Sequence, residues 1–377
     1  PEVNRSRTLY VPYMSVKQKG NSDNESANAS MSVRTGRECF RALSMPEAVT
    51  LASGVYRVRA SVPSRSKATA DMVQTDEAFW TIFSFHFLSG EAFTKADCDA
   101  GLTRAVLDAT TARRLFGTTD AVGHTVQLDY VDYTVAGVVA DVSMLATAAY
   151  AQIWVPYTAA GAEAMSWQND TMGPMHAIIL ARSSADFDAI REETELLRKK
   201  YNDGLQDVEV FYRGQPDTQL AYLYRRWYAE PDVPGVMLRY AIVVIILLLV
   251  PAVNLSGMTL SRMRRRMAEI GVRKAFGATG GELMRQVFFE NLVLTLLAGI
   301  VGLALSYVAA FALNGFLFSN SMNASLSGET ALTPGMLLSP WAFIAAFAFC
   351  LLMNILSAGI PAWRASRMNI TDAINQR

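Results

Sequence analysis

The chain has 377 residues, 51% of them hydrophobic, and equal numbers of basic and acidic side chains, 34 of each. That balance hides two unlike halves: residues 1–238 hold 23 Lys and Arg against 29 Asp and Glu, and residues 239–377 hold 11 against 5. An acidic first part excludes a nucleic-acid-binding domain, which would be basic, and the asymmetry fits an external domain joined to membrane spans with a positive inner face.

Residues 1 to about 50 read as polar and irregular. Residues 20–32 (GNSDNESANASMS) lack an apolar period and read as a mobile loop. Residues 45–48 read as a turn into a short helix, with Ser44 as its cap. Residues 55–62 (VYRVRASV) alternate apolar and polar, the pattern of a half-buried strand. Residues 76–88 (DEAFWTIFSFHFL) open with an acid and carry Phe79, Trp80, Phe83 and Phe87, which predicts a core-packed helix ended by Gly90. A short strand at 105–107 leads to a helix capped by Asp108 and stopped at Gly117. Strands follow at 125–128, 133–139, 152–155 and 177–181, the first two joined by a hairpin turn at 129–132. A helix at 184–201 has acids at its front and Arg198, Lys199 and Lys200 at its end, as the helix dipole favours. A strand at 208–211 and a helix at 217–228 complete an α+β domain, residues 1–237, expected to have two subdomains.

From residue 238 the composition changes. Residues 240–261, 291–328 and 337–361 hold no charged side chain, and about 20 apolar residues span a bilayer. The expected membrane domain, 238–377, is all-α, with helices at about 240–261, 285–318 and 337–361. Residues 262–284 between the first two carry Arg262, Arg264, Arg265, Arg266, Arg273 and Lys274, whereas 319–335 carry no Lys or Arg. The Lys and Arg excess puts the first loop and the C-terminus in the cytoplasm and the α+β domain outside. An external domain needs a way across the membrane, so a fourth, N-terminal membrane segment before Pro1 is expected. Ala298, Gly302, Ser306 and Ala310, and likewise Ala346, Cys350, Asn354 and Ala358, fall four apart, a spacing that lets helices approach closely in lipid. Asn254, Asn314 and Asn354 are read as interhelical hydrogen-bonding groups, with a substrate path as the alternative.

Several catalytic patterns are absent. Residues 277–281 (GATGG) lack the Lys-Ser/Thr that grips phosphate, so a helix break is the better reading. His86, His124 and His176 have no metal-ligand spacing. Ser64 and Lys67 match a Ser-x-x-Lys pattern only formally. Cys39, Cys98 and Cys350 set no disulfide framework, although a Cys39–Cys98 bridge stays open in an oxidising compartment.

At residues 268–294 (AEIGVRKAFGATGGELMRQVFFENLVL) the chain resembles the FtsX/MacB group of ABC transporter permeases. It matches their Glu-Ile-Gly-x-Arg-Lys-Ala-x-Gly-Ala loop at Glu269, Ile270, Gly271, Arg273, Lys274, Ala275, Gly277 and Ala278. Residues 76–93 and 105–142 are similar to stretches of the MacB periplasmic domain. The ending PAWRASRMNITDAI resembles the family's, with Asn369 where proline is usual. The resemblance implies a MacB-like periplasmic domain, an FtsX-like membrane domain and an inner-membrane location. It implies a dimer of permeases and a cytoplasmic ABC ATPase partner that binds the ATP and Mg, leaving this chain without a cofactor or catalytic residue. A periplasmic adaptor or substrate protein is a further implied partner.

In such a mechanotransmitting permease, ATP-driven motion enters through a cytoplasmic coupling segment, here Glu269, Ile270, Gly271, Arg273, Lys274, Phe276, Gly277, Ala278 and Thr279. On a helical projection Glu269, Arg273 and Phe276 share a face and are expected to touch the ATPase. Ala298, Gly302, Ser306, Ala346, Asn354 and Ala358 are the expected helix-packing positions. For Arg262–Arg266 a topological and lipid-binding role suffices. The expected function is export or extraction of a lipoprotein, peptide or toxic small molecule. The alternatives are a transmembrane signalling subunit that activates a cell-wall hydrolase and a membrane-anchored binding module.

Overall fold

The computed structural model describes residues 2–22, 25–63, 67–226, 229–250, 261, 272–273, 276–313 and 343–353. The chain divides into two units at residues 233 and 234.

The first unit begins with strands β1 (Thr8–Val11), β2 (Met14–Gln18) and β3 (Ala27–Ala29), a one-turn helix α1 (Val33–Gly36) continued by a π-turn at Arg37–Arg41, and strand β4 (Ala48–Ser53). This stretch corrects the reading of residues 1–50 as irregular. Leu9, Tyr10, Val11, Met14 and Val16 are all buried. Pro12 and the interspersed polar residues break up the apolar pattern here, so the strands do not stand out in the sequence. Residues 45–48 bend into β4 rather than into a helix. Ser44 donates its hydroxyl to Glu193 at 2.6 Å and caps nothing.

Strands β5 (Tyr56–Ser61) and β6 (Lys67–Thr75) form a hairpin. The short helix α2 (Phe79–Ile82), strand β7 (Phe87–Gly90), helix α3 (Lys95–Asp99) and strand β8 (Arg104–Asp108) follow. The helix expected over 76–88 is therefore a single turn followed by extended chain. The reason lies in its second half: Phe83, Phe85 and Phe87 alternate with Ser84 and His86, a period of two that a strand satisfies. Helix α4 (Ala109–Phe116) is capped by the Asp108 carboxylate, which accepts from the Thr111 amide at 2.7 Å, and ends at left-handed Gly117. Strands β9 (Thr125–Leu128) and β10 (Val131–Val139) pair through the two-residue turn Asp129–Tyr130, both residues left-handed. Then come β11 (Ile153–Pro156), β12 (Met175–Leu180), helix α5 (Phe187–Asp203), β13 (Val208–Phe211), β14 (Asp217–Thr218) and helix α6 (Gln219–Tyr224). The helix expected over 217–228 thus opens as a two-residue strand and is shorter; residues 227–228 lie outside the described residues.

Three sheets result. One has the order β14-β1-β12-β4 and a small one the order β13-β2-β3. The largest runs β7-β10-β8-β11-β6-β5-β9, and β9 also pairs with β10, so six of its strands close into a barrel. Closure removes most free strand edges, the main liability of a sheet in water.

Alternation along the strands builds three cores. Ala70, Met72, Ala105, Leu107, Val126, Val135, Ile153 and Val155 fill one cluster with Ala112 and Leu115 of α4. Their neighbours Val73, Val106, Val139 and Trp154 point the other way and meet Tyr10, Ala52, Ile178 and Leu180 of the four-stranded sheet, with Phe79, Phe83 and Phe93 between. The opposite face of that sheet, Leu9, Val11, Leu51, Ala177 and Ile179, packs on Phe40, Ile190 and Tyr201. Truncating a fully buried member such as Trp154 or Phe79 to Ala costs about 3–5 kcal/mol. Cys39 and Cys98 sit in different cores as free thiols.

In the second unit the described residues include three helices: α7 (Val233–Val250), α8 (Gly280–Ala312) and α9 (Phe343–Met353). Val233–Val250 and Leu292–Ala309 are long and apolar enough to cross a membrane, with mean hydropathy 2.5 and 2.3; Phe343–Met353 is a shorter apolar helix.

Candidate coupling site

Among the described residues between 272 and 286, a helical pair at 272–273 and a turn at 276–279 lead into helix α8, and their hydrogen bonds follow from residue type. The Phe276 amide donates to the Val272 carbonyl at 3.1 Å, and the Ala278 amide to the Arg273 carbonyl at 3.1 Å. Between them Gly277 has φ +96°, so this is the left-handed helix end that glycine allows without steric cost. Two residues later the next helix starts with a reciprocal cap. The Glu282 amide donates to the Thr279 hydroxyl at 3.3 Å, and the Thr279 amide donates to the Glu282 carboxylate at 2.9 Å. Those bonds from Thr279 hold the Glu282 carboxyl below its ordinary value.

Arg273 Nη1 donates to Gln286 Oε1 at 2.7 Å and so ties the end of the first helix to the second turn of α8. Phe276 is 89% exposed at the tip of the turn. Ala278 is half-buried and Thr279 exposed. Glu269, Ile270, Gly271, Lys274, Asn354 and Ala358 lie outside the described residues, as do Arg262, Arg264, Arg265, Arg266, Asn254 and Asn314.

Helix α8 runs unbroken through 33 residues, about 50 Å at 1.5 Å per residue. Its apolar window starts only at Leu292, so the first twelve residues, which carry Glu282, Arg285 and Glu290, extend beyond it. Within the second unit its less exposed line is Leu292, Thr295, Gly299, Leu303 and Tyr307. A Cβ on Gly299 would stand 3.5 Å from the Phe347 ring of α9. Ala298, Gly302 and Ser306 fall one position to the side and are exposed, and Ser306 donates its hydroxyl to the Leu303 carbonyl of its own helix at 2.9 Å. Ala346 on α9 is exposed too.

In the first unit, two ion pairs with buried carboxylates stand where structural elements join, and neither was legible in the sequence. Asp76, 1% exposed, accepts from Arg41 Nη1 at 2.9 Å, the Thr50 hydroxyl at 2.6 Å, the Leu51 amide at 3.0 Å and the Ala78 amide at 3.1 Å. Arg41 also donates to the Val49 carbonyl at 2.9 Å, and the Thr75 hydroxyl to the Leu51 carbonyl at 3.1 Å. Side chains thus satisfy the outer edge of β4 where a further strand would, and they fasten it to the end of β6. Burial pushes the Asp76 carboxyl up to about 6 against the pull of Arg41 and its other donors.

Arg225 is the second case. It forms a two-pronged pair with Asp217, Nε to Oδ2 and Nη2 to Oδ1 at 2.7 Å, with side chains 2% and 4% exposed. Its Nη1 donates to the Arg213 carbonyl at 3.1 Å, and its guanidinium lies 5.9 Å from the Tyr13 ring centre. The Tyr13 hydroxyl donates to the Arg226 carbonyl at 3.0 Å. The chain is therefore gripped just before residues 229–233 and α7. Arg-carboxylate forks of this kind are the strong form of the interaction. The separation of eight residues carries no motif, which is why sequence reading missed it.

Comparison with known proteins agrees with this division. Residues 4–197 match the MacB-like periplasmic core domain and residues 241–370 the FtsX-like permease C-terminal region. The chain is 26% identical over 314 residues to the macrolide export ATP-binding/permease protein MacB of Escherichia coli strain K12, covering 81% of this chain and 43% of that protein. It is 25% identical over 307 residues to the protein of the same description from Chromobacterium violaceum, with the same coverage. The chain therefore spans 43% of the length of these relatives. Among solved structures, the periplasmic region of MacB from Actinobacillus actinomycetemcomitans aligns at TM-score 0.39 and 18% identity, over 56% of this chain and 92% of that one. The extracellular domain of the ABC-type transporter YknZ from Gram-positive bacteria aligns at TM-score 0.40 and 16% identity, over 54% and 99%.

Proposed function

This chain belongs to the MacB/FtsX permease family, and from that membership we propose that it is the permease part of an ABC transporter that converts cytoplasmic ATP hydrolysis into movement of its periplasmic domain. The substrate class is a lipoprotein, peptide or toxic small molecule taken from the periplasmic side. ATP and Mg are bound by a partner ATPase, the permease acts with a second copy or a homologous permease, and residues 269–279 receive the ATPase.

One observation supports the coupling role above the others. A capped, tightly bonded turn with an exposed aromatic at its tip leads directly into a continuous helix that enters an apolar span. A push on Phe276 meets no flexible joint before residue 312, because the turn is closed by backbone bonds at Ala278 and by the reciprocal cap at Thr279. Arg273 serves this lever by bracing its two arms through Gln286.

The test is photocrosslinking from position 276 in membranes, together with transport by the Phe276→Glu and Glu269→Lys variants. The expected result is a crosslink to a cytoplasmic ATPase and loss of transport in both variants, with insertion unchanged. A turn that crosslinks to no ATPase, or variants that transport normally, would sink the coupling role.

A further inference from the structure

The outside of the barrel wall carries an arrangement that the coupling role does not use. Arg59 and Ser61 of β5 face Thr69 and Lys67 of β6 across the hairpin ladder, pairing Arg59 with Thr69 and Ser61 with Lys67. Val58, Ala60 and Ala70 on the same strands point into the barrel core, so these four point outward. Arg59 and Lys67 are therefore diagonal neighbours on one face, within about 8 Å at Cβ. Both are exposed, and among the described residues neither has a carboxylate partner. Elsewhere on this acidic domain Arg7, Arg37, Arg104 and Arg198 each find one. Two like charges held on one face repel unless an anion joins them.

The two cations line a cleft of about 400 Å3, with Thr69 on the same wall and Gln127, Asp129 and Tyr130 on the other. A volume of that order is in the range of small-ligand sites. Asp129 is engaged by the Arg59 amide at 2.9 Å, so one of its oxygens already serves the wall itself. Tyr130 stands at the lip, 81% exposed and with φ +75°. A bulky residue in that conformation costs free energy that Asn or Gly would avoid. Its ring, beside Val131 at 46% exposure, offers apolar contact at the edge of a cationic floor.

We propose that this cleft on the barrel of the periplasmic domain binds a short acidic peptide, its carboxylates on Arg59 and Lys67 and its apolar part on Tyr130. Thr69 supplies a hydroxyl for the peptide backbone, beside Gln127, whose amide nitrogen donates to Asp132 at 3.2 Å and leaves its carbonyl oxygen to accept. The site needs no ATP and stands whether or not residues 269–279 meet an ATPase.

The experiment is calorimetric titration of the full chain in phosphatidylcholine nanodiscs, without nucleotide, using triglutamate, with trilysine and inorganic phosphate as further probes. Triglutamate binds, and Arg59→Glu/Lys67→Glu weakens it at least tenfold. Tyr130→Gly, which suits the left-handed turn, weakens it about threefold, and neither change lowers the melting temperature. Reversal of two exposed cations on α4, Arg113→Glu/Arg114→Glu, leaves it unchanged. The proposal is overturned if triglutamate does not bind. It is equally overturned if the α4 reversal weakens binding as much as the cleft reversal, or if phosphate or trilysine binds as tightly.

Discussion

Asp76 shows how a single residue can hold more structure than its sequence context announces. Four donors converge on one carboxylate that water does not reach, and removing it strands the Leu51 amide and half of the Arg41 guanidinium. Asp76→Ala is expected to cost about 2–4 kcal/mol, read as a lowered melting temperature by tryptophan fluorescence. The pH dependence has a definite sign. The folded carboxyl titrates at about 6, above the ordinary value of 3.8, because burial disfavours its charged form. Between those values the folded chain holds a proton that the unfolded chain releases. The stability from this group is thus fully present below about 4 and is lost as pH rises through 6. Asp108, also pushed to about 6 by burial, acts in the same direction. Asp76→Asn is expected to flatten the slope of melting temperature against pH between 4 and 6; an unchanged slope would refute this assignment. The first-unit ion pairs were invisible in sequence because Arg41 and Asp76 are 35 residues apart and nothing local marks their meeting.

Among the elements, those legible beforehand are the ones whose ends carry their own chemistry. Helix α4 announces itself with Asp108 at its start and Gly117 at its end, and β9–β10 with an alternating hairpin. The turn at 276–282 belongs to this class, since Gly277 and Thr279 state where one helix stops and the next begins. Gly277→Ala puts a Cβ into a left-handed conformation and Thr279→Ala removes a cap, each costing about 1 kcal/mol. Amide exchange at residues 278–283 is expected to accelerate about fivefold in either variant, while residues 300–305 stay unchanged. Equal protection in all three proteins would show that the turn is held by something other than these bonds. The misread elements failed for a different reason. Residues 76–88 carry both a helical and an extended apolar pattern, and only packing against the four-stranded sheet and the barrel decides between them. Strands β1 and β4 and most of β2 are buried because their partners arrive from residues 175–180, 208–211 and 217–218, which no local pattern announces.

At the scale of the whole molecule, the charge asymmetry makes a topological prediction. Cysteine placed at position 276 is expected to react with a membrane-impermeant maleimide only from the cytoplasmic side, and cysteine at position 130 only from the periplasmic side. Both native side chains are exposed, Cys39 and Cys98 are buried, and the exposed Cys350 is replaced by Ala for the experiment. Labelling of both positions from one side would overturn the positive-inside reading. By itself the sequence determined the membrane character of the second half, the positions of its apolar runs, the α+β nature of the first half and the helix break at residues 277–281. Each of these depends on composition, or on residues within a few positions of one another. Only the tertiary structure decided the closure of the barrel, the side-chain edge on β4, the Arg225–Asp217 grip and the choice of Gly299 as the contact to Phe347. Those depend on partners brought together from distant parts of the chain, and local propensity holds no information about which of several apolar faces will meet.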